Sequence, residues 1–477
     1  MKQTIKLLKQ FPVTCHTKHI GPNTIFVAVK GQKENGVDYI PQALKQGAKK
    51  IVIQQDAIVP SDTTLLIKKY NATVTKVENT RKELATLSAQ KSNHAHKQLK
   101  IIAITGTKGK TSTAFILHHI LKSAGYKAAL ISSVHNKILD QQFEAHLTTE
   151  HPDYLHVFFS QCVKHNIEYV VMETAAQAIS LHRAEELTFE AGIFTNFSQE
   201  HGEFYQTLDD YFDAKQQLFK QLKPTGTAFI NYDDQWGQKI LQQNSSFISF
   251  GFDKKSDIYA TTTNNSQNHL HFVMQAKDTK VAFNCPSVIG TFNAYNVLAA
   301  TGVAQTLGVP LEKSAEYLKT FAGVPGRLEL HTLANGARCF LDYAHNPSSF
   351  EAVIPTLRNM TDHFIIVFGA GGDRDPKKRP IMGNIAAQFA DMVILTSDNS
   401  RSEEPQKIID DIFAGIIQKN QKKVLKEIDR ATAIRTACKL SKKSSITAIL
   451  GKGPDEYDIV KNIKTRFCED EILQEFK

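Results

Sequence analysis

The chain has 477 residues and a formal net charge of +9 at pH 7, with 42% hydrophobic and 22% charged residues. This length and composition predict a globular protein of about three domains. The positive charge suits polyanionic ligands such as nucleotides. However, the basic residues are spread along the chain rather than gathered in one block, which argues against a nucleic-acid partner.

The cysteines and the apolar segments indicate the cellular compartment. The cysteines are widely scattered and none belongs to a C-x-x-C pair, which argues against a zinc site and predicts free thiols in a reducing environment; they are Cys15, Cys162, Cys285, Cys339, Cys438 and Cys468. The N-terminus lacks the apolar core of a signal peptide, and no apolar stretch reaches the roughly 18 residues of a membrane span. We expect a cytoplasmic protein without membrane insertion, acting as a monomer.

Residues 1–97 are predicted to form a first, small α/β domain. Short buried strands are predicted at Thr24–Val29 and Lys50–Ile53, with a short helix at Pro41–Gly47 between them. The polar segment Gln90–Lys97 is typical of a linker.

Residues 98–325 are predicted to form a second domain around a parallel sheet. Apolar strand segments alternate with helical segments, and they lie at Ile101–Ile104, Ala128–Ile131, Tyr169–Met172 and Gly192–Phe194. This βαβα order predicts a parallel sheet covered by helices on both faces. The polar stretch Ser256–Ala282 is predicted to be an antiparallel hairpin or a sheet edge.

Residues 326–477 are predicted to form a third α/β domain. Its strands are expected at Phe364–Phe368, Met392–Leu395 and Ile446–Leu450. Ligands of open α/β sheets gather at the carboxyl ends of the strands. The turns that follow these strands are therefore predicted to share one crevice; they are Gly369–Pro380, Thr396–Pro405 and Gly451–Tyr457.

The second domain begins with a strand, a glycine-rich turn and an amphipathic helix. Such a turn directs backbone N–H groups and a helix N-terminus at a bound phosphate, so we predict ATP binding by Gly106, Thr107, Lys108, Gly109, Lys110, Thr111 and Ser112. Lys110 adds a positive charge for the phosphates, and the Thr111 hydroxyl can bind Mg²⁺. The motif is shorter than a full Walker A sequence, because Ile104 stands where its first glycine belongs.

Three further residues of this domain are candidates for a metal site. Glu173 follows a predicted strand, and a carboxylate is a ligand that Mg²⁺ favours, as is the Thr111 hydroxyl. His201 and Lys215 come later in the chain. Considered without the surrounding motifs, a histidine and a lysine at these positions are interpreted as surface side chains.

The order of these motifs resembles that of the Mur ligases, the ATP-dependent amide ligases of peptidoglycan synthesis. It comprises the glycine turn, Glu173, Thr195-Asn196 with Glu200-His201, and Tyr211 to Phe219 around Lys215. The resemblance implies three domains: a small UDP-sugar-binding α/β domain, a central P-loop ATPase domain and a Rossmann-like amino-acid-binding domain. It also implies that Lys215 is carbamylated by CO₂ or bicarbonate and binds Mg²⁺ together with His201.

The resemblance extends to segments that contact ATP in the family. Asn293 and Asn296, within Gly290 to Asn296, match adenine-contacting residues, although two asparagines can also cap a helix. Arg327 matches a residue of the hinge before the last domain, where it would reach ATP phosphates. Asp342 and His345 belong to an Asp-Tyr-Ala-His element that faces ATP in these enzymes.

The third domain resembles that of the members that add a diamino acid to UDP-N-acetylmuramoyl-L-alanyl-D-glutamate. The resemblance implies amino-acid binding by Arg374, Asp398, Asn399, Ser400, Arg401, Gly451 and Asp455. Arg374 and Arg401 favour meso-diaminopimelate, because arginine suits the second carboxylate that L-lysine lacks. The Gly451-Lys452-Gly453-Pro454-Asp455 segment is closer to the lysine-adding pattern, so both amino acids stay open.

The acceptor site departs further from the family pattern. Its expected residues are Thr17, Thr148, Thr149, Ala175 and Arg183. Ala175 stands where the family has a serine that contacts the acceptor peptide, so that contact is missing. His16-Thr17-Lys18 replaces an Asp-Ser-Arg motif and keeps one hydroxyl and one positive charge.

We therefore expect an ATP-dependent acid–amino-acid ligase that adds meso-diaminopimelate through an acyl phosphate, in cell-wall biogenesis with its links to cell shape and division. One alternative is the same ligase adding L-lysine. Folylpolyglutamate synthase is a more distant one, against which Asp373-Arg374-Asp375 and Asp398 to Arg401 argue. A non-catalytic nucleotide-binding relative is a third, left open by Ala175-Ala176-Gln177.

Overall fold

The computed structural model describes residues 4–31, 34–198, 204–266 and 269–477. Contacts divide the chain into two compact units. The first comprises Met1–Thr261, Met274–Val281 and Tyr295–Tyr317, and the second comprises Thr262–Val273, Ala282–Ala294 and Leu318–Lys477. The predicted boundaries after residues 97 and 325 stay predictions.

The first unit begins with a small parallel sheet, in the strand order β1-β2-β3-β4. Its strands are β1 Val13–Thr14, β2 Ile25–Val27, β3 Lys50–Gln54 and β4 Thr73–Val77, and its helices are α1 Ile40–Lys45, α2 Ser61–Lys69 and α3 Thr80–Lys91. The two predicted strands and the predicted helix are confirmed as β2, β3 and α1. Proline in the first turn of α1 suits a helix start, because its missing N–H would have no partner there.

A larger sheet follows in the same unit. Its strands are β5 Lys100–Thr105, β6 Ala128–Ile131, β7 His135–Ile138, β8 Gln141–Glu144, β9 Tyr169–Glu173, β10 Phe189–Phe194, β11 Leu222–Asn231 and β12 Ile248–Gly251. Its helices are α4 Lys110–Ser123, α5 Pro152–Lys164, α6 Ala176–Ser180, α7 Leu208–Gln216 and α8 Gln235–Gln243. The order is β12-β11-β10-β5-β9-β6-β7-β8, and only the pairs β6-β7 and β7-β8 among these are antiparallel. The predicted parallel sheet is thus confirmed.

The division between the units passes through the next strands. They are β13 Ile258–Ser266, β14 His269–Ala276 and β15 Thr279–Cys285, which continue the sheet at its edge beyond β12. The sheet edge predicted for residues 256–282 is therefore confirmed. Helices α9 Phe292–Thr306 and α10 Leu311–Leu318 follow.

The position of β5 decides where a ligand can bind. This strand lies between β10 and β9 and runs parallel to both, with Ile104 opposite Glu173 and Thr105 opposite Phe194. Its last five residues are buried. The turns that follow β5, β9 and β10 therefore emerge side by side at one edge of the sheet, where ligands bind in folds of this kind.

The segment that composition predicts to be a linker, residues 90–97, is packed into the first unit. It contains the end of α3 and the start of a short 3-10 helix at Ala95–Gln98, in which Ala95 and His96 are buried. The His96 ring meets the ring of His156, on α5, edge to face at 5.0 Å. Polar composition misled the prediction because histidine can be buried in its neutral form.

Buried neutral histidines predict acid sensitivity of the first unit. Burial lowers the pKa of His96 to about 4 and the pKa values of His118 and His156 to about 3. Between pH 6.5 and 4 the unfolded chain binds protons that the folded chain does not, so the free energy of unfolding falls as the pH falls. We expect a loss on the order of 2 kcal/mol per histidine between pH 7 and 5. Urea unfolding at both pH values measures it, and His156→Leu should weaken the pH dependence; an unchanged dependence would contradict this assignment.

The second unit is built around a six-stranded sheet, in the order β16-β17-β21-β18-β19-β20. Its strands are β16 Glu329–Thr332, β17 Arg338–Asp342, β18 Phe364–Phe368, β19 Met392–Leu395, β20 Val424–Lys426 and β21 Ile446–Leu450, followed by the hairpin β22 Tyr457–Val460 and β23 Ile463–Arg466. The helices are α11 Pro347–Arg358, α12 Lys378–Phe389, α13 Pro405–Ala414, α14 Gln418–Gln421, α15 Arg430–Leu440 and α16 Glu469–Gln474. The three predicted strands are confirmed as β18, β19 and β21, which are adjacent and parallel. Their apolar residues suit burial on both faces, as is typical of strands in parallel sheets.

None of the helices in the described part of the chain is both long and apolar enough to cross a membrane.

Candidate active site

At two positions in the turn between β5 and α4, the backbone conformation suits only glycine. Gly106 and Gly109 have φ values of 140° and 85°, which disfavour residues with a side chain. A Cβ atom at Gly106 would collide with the Thr195 hydroxyl, and one at Gly109 with the side chain of Asn296. The structure thus has the predicted glycine turn, with Gly109 as the N-cap of α4, while phosphate binding by this turn stays a prediction.

The segment after β10 holds this turn in place. The Thr195 hydroxyl donates to the Lys108 carbonyl at 2.6 Å, and the Asn196 side-chain oxygen accepts from the Lys108 amide at 2.9 Å. The Thr107 amide donates to the Asn196 carbonyl at 2.9 Å. The sequence showed Thr195 and Asn196 only as part of a motif, whereas the structure shows that they order the phosphate-binding turn before any ligand arrives.

Both predicted catalytic lysines meet at the first residue of the turn. Lys110 Nζ donates to the carbonyl oxygens of Gly106 at 2.9 Å and Thr107 at 3.0 Å. Lys215, at the end of α7, is only 1% exposed, and its Nζ donates to the same Gly106 oxygen at 2.8 Å. It also lies 4.4 Å from the centre of the Tyr211 ring. His201, the third residue predicted here, lies outside the described residues.

Three oxygen-bearing side chains lie together beside the turn. The Thr111 hydroxyl donates to Glu173 Oε2 at 3.0 Å, and the Ser133 hydroxyl lies 3.0 Å from the Thr111 hydroxyl. The Ser133 amide also donates to Glu173 Oε1 at 2.8 Å. Thr111 and Glu173 are buried, with exposures of 7% and 1%. Hydroxyl and carboxylate oxygens are the ligands that Mg²⁺ prefers, so this donor set fits that ion.

Sequence reasoning missed Ser133. The sequence feature that could have indicated Ser133 is its position just after β6, at the carboxyl edge of the sheet. Among the remaining residues of the turn, Thr107 is buried, whereas Lys108 and Ser112 are partly exposed, and their ATP contacts stay predictions.

Three of the predicted acceptor residues form one hydrogen-bonded group. The Thr149 hydroxyl donates to the Glu173 carbonyl and accepts from the Ala175 amide, both at 3.0 Å. Arg183 Nη1 donates to the Thr149 carbonyl at 2.9 Å. Thr148 and Thr17 are partly exposed, and Thr17 begins a short 3-10 helix, Thr17–His19.

The two asparagines of α9 make different contacts. Asn296 belongs to the first unit, where its side-chain oxygen accepts from the Thr113 hydroxyl of α4 at 3.2 Å. Asn293 belongs to the second unit, where its side-chain Nδ2 donates to the Ile289 carbonyl at 2.6 Å. The structure therefore ties Asn296 to the phosphate-binding helix, while the adenine-binding role of both residues stays a prediction.

In the second unit, Asp342 shapes the segment around Arg327. Its two carboxylate oxygens accept from the Leu328 amide at 2.7 Å and the Ala344 amide at 2.8 Å. The Arg327 guanidinium stacks 4.5 Å from the centre of the Tyr343 ring, and His345 is exposed, with Nδ1 2.7 Å from the Tyr343 carbonyl. Burial raises the pKa of Asp342, which the guanidinium of Arg327 partly offsets. The ATP contacts of these residues stay predictions.

The two arginines predicted to bind a diamino acid both lie close to Gly371. A Cβ atom at Gly371 would lie 2.9 Å from Arg401 Nη1 and 3.8 Å from Arg374 Cγ. Arg401 has a left-handed φ of 51°, and its Nη1 donates to the Gly372 carbonyl at 2.7 Å. Arg374 is exposed. Arg401, which is distant from Gly371 in the sequence, thus contacts the segment that carries Arg374.

The turns after β19 and β21 are joined through a lysine that sequence reasoning did not single out. Lys452 is buried, and its Nζ lies 3.5 Å from Asp398 Oδ1 and 3.0 Å from Asp458 Oδ1. The Asp458 carboxylate also accepts from the Asn399 amide at 3.0 Å. The predicted convergence of these turns is therefore seen in the structure.

The remaining amino-acid-binding candidates belong to the same turns. Gly451 has a φ of 118°, and a Cβ atom there would collide with Asp398. Ser400 is buried. Burial raises the pKa of Asp455, and the negative charge of Asp398 acts in the same direction. A cationic amino group beside Asp455 would oppose this rise and stabilise the carboxylate.

Sequence comparison covers nearly the whole chain. Residues 12–92 match the Mur ligase family, catalytic domain; residues 104–304 match the Mur ligase middle domain; and residues 326–453 match the Mur ligase, glutamate ligase domain. UDP-N-acetylmuramoyl-L-alanyl-D-glutamate--2,6-diaminopimelate ligase 1 of Clostridium acetobutylicum is 36% identical over 466 residues, covering 96% of this chain and 93% of the relative. The corresponding ligase of Clostridium perfringens is 36% identical over 458 residues, covering 94% and 91%.

Solved structures share the fold. A UDP-N-acetylmuramoyl-L-alanyl-D-glutamate--2,6-diaminopimelate ligase aligns over 98% of this chain and 94% of its own, with a TM-score of 0.66 at 24% identity. MurF ligase from Thermotoga maritima in complex with ADP aligns over 99% and 98%, with a TM-score of 0.65 at 19% identity. At these identities the likeness shows the fold alone.

Proposed function

This chain belongs to the Mur ligase family, and from that premise we propose that it joins meso-diaminopimelate to UDP-N-acetylmuramoyl-L-alanyl-D-glutamate, with cleavage of ATP to ADP and phosphate. The observation that carries the proposal is the group of side chains around the phosphate-binding turn. Lys110 and Lys215 share the Gly106 carbonyl, and Thr111, Ser133 and Glu173 gather their oxygens beside it. A phosphoryl-transfer site needs a cation, here Lys110, and metal-binding oxygens next to a helix N-terminus.

The proposed reaction has two steps. An oxygen of the D-glutamyl γ-carboxylate attacks the γ-phosphorus of ATP, which forms an acyl phosphate and releases ADP. The amine of the diamino acid then attacks the acyl carbon, the C–O bond to phosphate breaks, and the amine proton is lost to give an amide and inorganic phosphate. Lys110 stabilises negative charge on the transferred phosphoryl group.

Thr111, Glu173, Ser133 and His201 are the proposed metal-site residues, together with Lys215 in its carbamylated form. Mg²⁺ held there would neutralise charge on the phosphates. The contacts of Lys215 support its modification, because a buried ammonium group shares one carbonyl oxygen with the Lys110 ammonium group. Carbamylation by CO₂ converts the Lys215 amine into an anion, which removes this like-charge repulsion and supplies a metal ligand.

We assign the remaining roles as the family resemblance implies. ATP is bound by Gly106 to Ser112, with Asn293, Asn296, Arg327, Asp342 and His345 as further contacts. The UDP-linked dipeptide is bound by Thr17, Thr148, Thr149, Ala175 and Arg183. We further propose that the enzyme acts as a monomer in the cytoplasm, in the synthesis of peptidoglycan and thus of cell shape.

The choice of diaminopimelate rests on the arginines beside Gly371. Arg401 is oriented by its bond to the Gly372 carbonyl, so its guanidinium is positioned before the substrate arrives. Bidentate binding of a carboxylate suits such a group. L-Lysine has no second carboxylate, so it would leave Arg401 without a carboxylate to bind. Asp455 is the proposed acceptor for the distal ammonium group.

We predict that Arg401→Lys raises the KM for meso-diaminopimelate by about 10- to 100-fold, because lysine keeps the charge but not the bidentate geometry. Ligation of L-lysine should change little. The measurement is amino-acid-dependent ADP release with the UDP-linked dipeptide, Mg²⁺ and bicarbonate. The control is Arg435→Lys, which alters an exposed ion pair with Glu475 in the same unit.

Each alternative predicts a different result in this assay. A wild-type preference for L-lysine would assign specificity to the Gly451–Asp455 segment rather than to the arginines. Absence of ADP release with either amino acid would favour a non-catalytic, nucleotide-binding relative.

A further inference from the structure

The described residues contain a cluster of metal-binding side chains away from the phosphate-binding turn. One ligand atom each of Cys15, His16 and His151 lies within 4.8 Å of the others. Cys15 and His151 are partly buried, whereas His16 is exposed. A sulfur and two imidazole nitrogens in one place are a donor set that soft and borderline divalent metal ions prefer.

The two segments that carry these side chains are fixed by hydrogen bonds to Asp153. The Thr14 hydroxyl donates to Asp153 Oδ2 at 2.6 Å, and the Cys15 amide donates to the same oxygen at 3.3 Å. Asp153 is 2% exposed and belongs to the first turn of α5, of which His151 is the N-cap. The same carboxylate therefore holds the Cys15 segment against the helix start that carries His151, so the donors are positioned by the fold.

The dimensions suit a tetrahedral ion with one open position. Bond lengths of about 2.0–2.3 Å place the ligand atoms of tetrahedral Zn²⁺ roughly 3.3–3.8 Å apart. The side chains therefore need to close in by about 1 Å around an ion, which rotation about their side-chain bonds can supply. The exposure of His16 leaves a path for entry and a place for water as the fourth ligand.

The local charges are compatible with a divalent cation. The Cys15 thiolate and the Asp153 carboxylate together offset two positive charges. Burial and the negative charge of Asp153 raise the pKa of the Cys15 thiol well above its usual value, and the guanidinium groups of Arg81 and Arg183 offset this only in part. Binding at neutral pH releases the thiol proton to solvent as the metal–sulfur bond forms, with no change of oxidation state.

We propose that Cys15, His16 and His151 form a binding site for a divalent metal ion of the Zn²⁺ class. Spacing rules in the sequence did not predict this site, because the donors come from two distant segments and no C-x-x-C pair is involved. The cluster adjoins Thr17 and lies two residues from Thr149 along the chain. A further consequence rests on the proposed function: a metal ion bound here competes with the UDP-linked dipeptide for the acceptor site.

Titration of the metal-free full-length protein with Co²⁺ tests the site directly. We expect one tightly bound Co²⁺ per chain, with the near-ultraviolet charge-transfer absorption of a cobalt–thiolate bond, and displacement of Co²⁺ by Zn²⁺. Cys15→Ser should abolish the thiolate band and weaken Zn²⁺ binding by at least about 100-fold. His151→Asn should weaken binding similarly while keeping a favourable N-cap for α5.

The matched control is Cys468→Ser, because Cys468 is the other cysteine that is partly exposed. It should leave the cobalt spectrum unchanged. No thiolate band in the wild-type protein, or a band that persists in Cys15→Ser, would overturn the proposal.

Competition with the acceptor is measured separately. Zn²⁺ should raise the KM for the UDP-linked dipeptide in the wild type and not in Cys15→Ser; equal inhibition of both would refute the competition. If protein free of Zn²⁺ and assayed with Mg²⁺ and bicarbonate shows no ligation at all, the proposed function fails, while the cobalt titration still decides whether the metal site exists.

Discussion

Lys110→Ala is expected to lower kcat/KM for ATP-dependent ligation by roughly 10³-fold or more. Lys110 Nζ donates to the Gly106 and Thr107 carbonyl oxygens, so its charge is held over the turn where the phosphates are proposed to bind. Alanine removes that charge and leaves the helix propensity of α4 intact. The measurement is ADP release with the UDP-linked dipeptide and meso-diaminopimelate, together with thermal unfolding to check the fold.

Lys122→Ala is the matched control for this prediction. Lys122 belongs to the same helix and forms an exposed ion pair with Asp140 at 2.7 Å. Exposed ion pairs contribute about 0–1 kcal/mol, so this variant should keep its activity and nearly all of its stability. Equal activity of Lys110→Ala and the wild type would exclude the proposed role of Lys110 in phosphoryl transfer.

Lys215→Arg is expected to lower the ligation rate by about 10²- to 10³-fold while ATP affinity stays within about threefold of the wild type. Arginine keeps a positive charge but cannot form the carbamate, so the proposed anionic metal ligand is lost. Lys215 is buried against the Gly106 carbonyl, where arginine would be a larger side chain. Lys215→Ala therefore tests loss of the carbamate without adding bulk beside Gly106. Single-turnover kinetics measure the ligation rate, and equilibrium binding measures the ATP affinity.

The control for Lys215 is Lys220→Arg, an exposed position shortly after it in the chain. Activity of the wild type should also rise with added bicarbonate, and activity of the Lys215 variants should not. Full ligation by Lys215→Arg would contradict carbamylation. Loss of ATP binding together with ligation would show instead that Lys215 supports the phosphate-binding turn, through its bond to Gly106.

The sequence predicted the strand, glycine turn and helix from β5 to α4 well because all of their determinants are local. A buried strand, glycines with left-handed φ values and a helix start lie within a short stretch from β5 to α4. The parallel order around β5 was also predictable, because strands and helices alternate along the chain. The linker at residues 90–97 was the exception, since burial of Ala95 and His96 depends on packing against α5.

Contacts between distant segments escaped sequence reasoning. Ser133 shares hydrogen bonds with Thr111 and Glu173 only because β6 and β9 are neighbours in the sheet. Lys452 links Asp398 to Asp458 only because the turns after β19 and β21 meet. The spacing of the residues around Ser133 and Lys452 in the sequence does not indicate either set of contacts.

The amino-acid sequence by itself determined the α/β class, the glycine turn after β5 and the family, because these depend on local backbone preferences, apolar periodicity and the order of motifs. Only the tertiary structure decided that Lys110 and Lys215 share one carbonyl, that Arg401 lies beside Gly371 and Gly372, and that Cys15 and His16 meet His151. The physical reason is that side-chain convergence is set by strand order and loop packing, which depend on contacts between residues far apart in the chain.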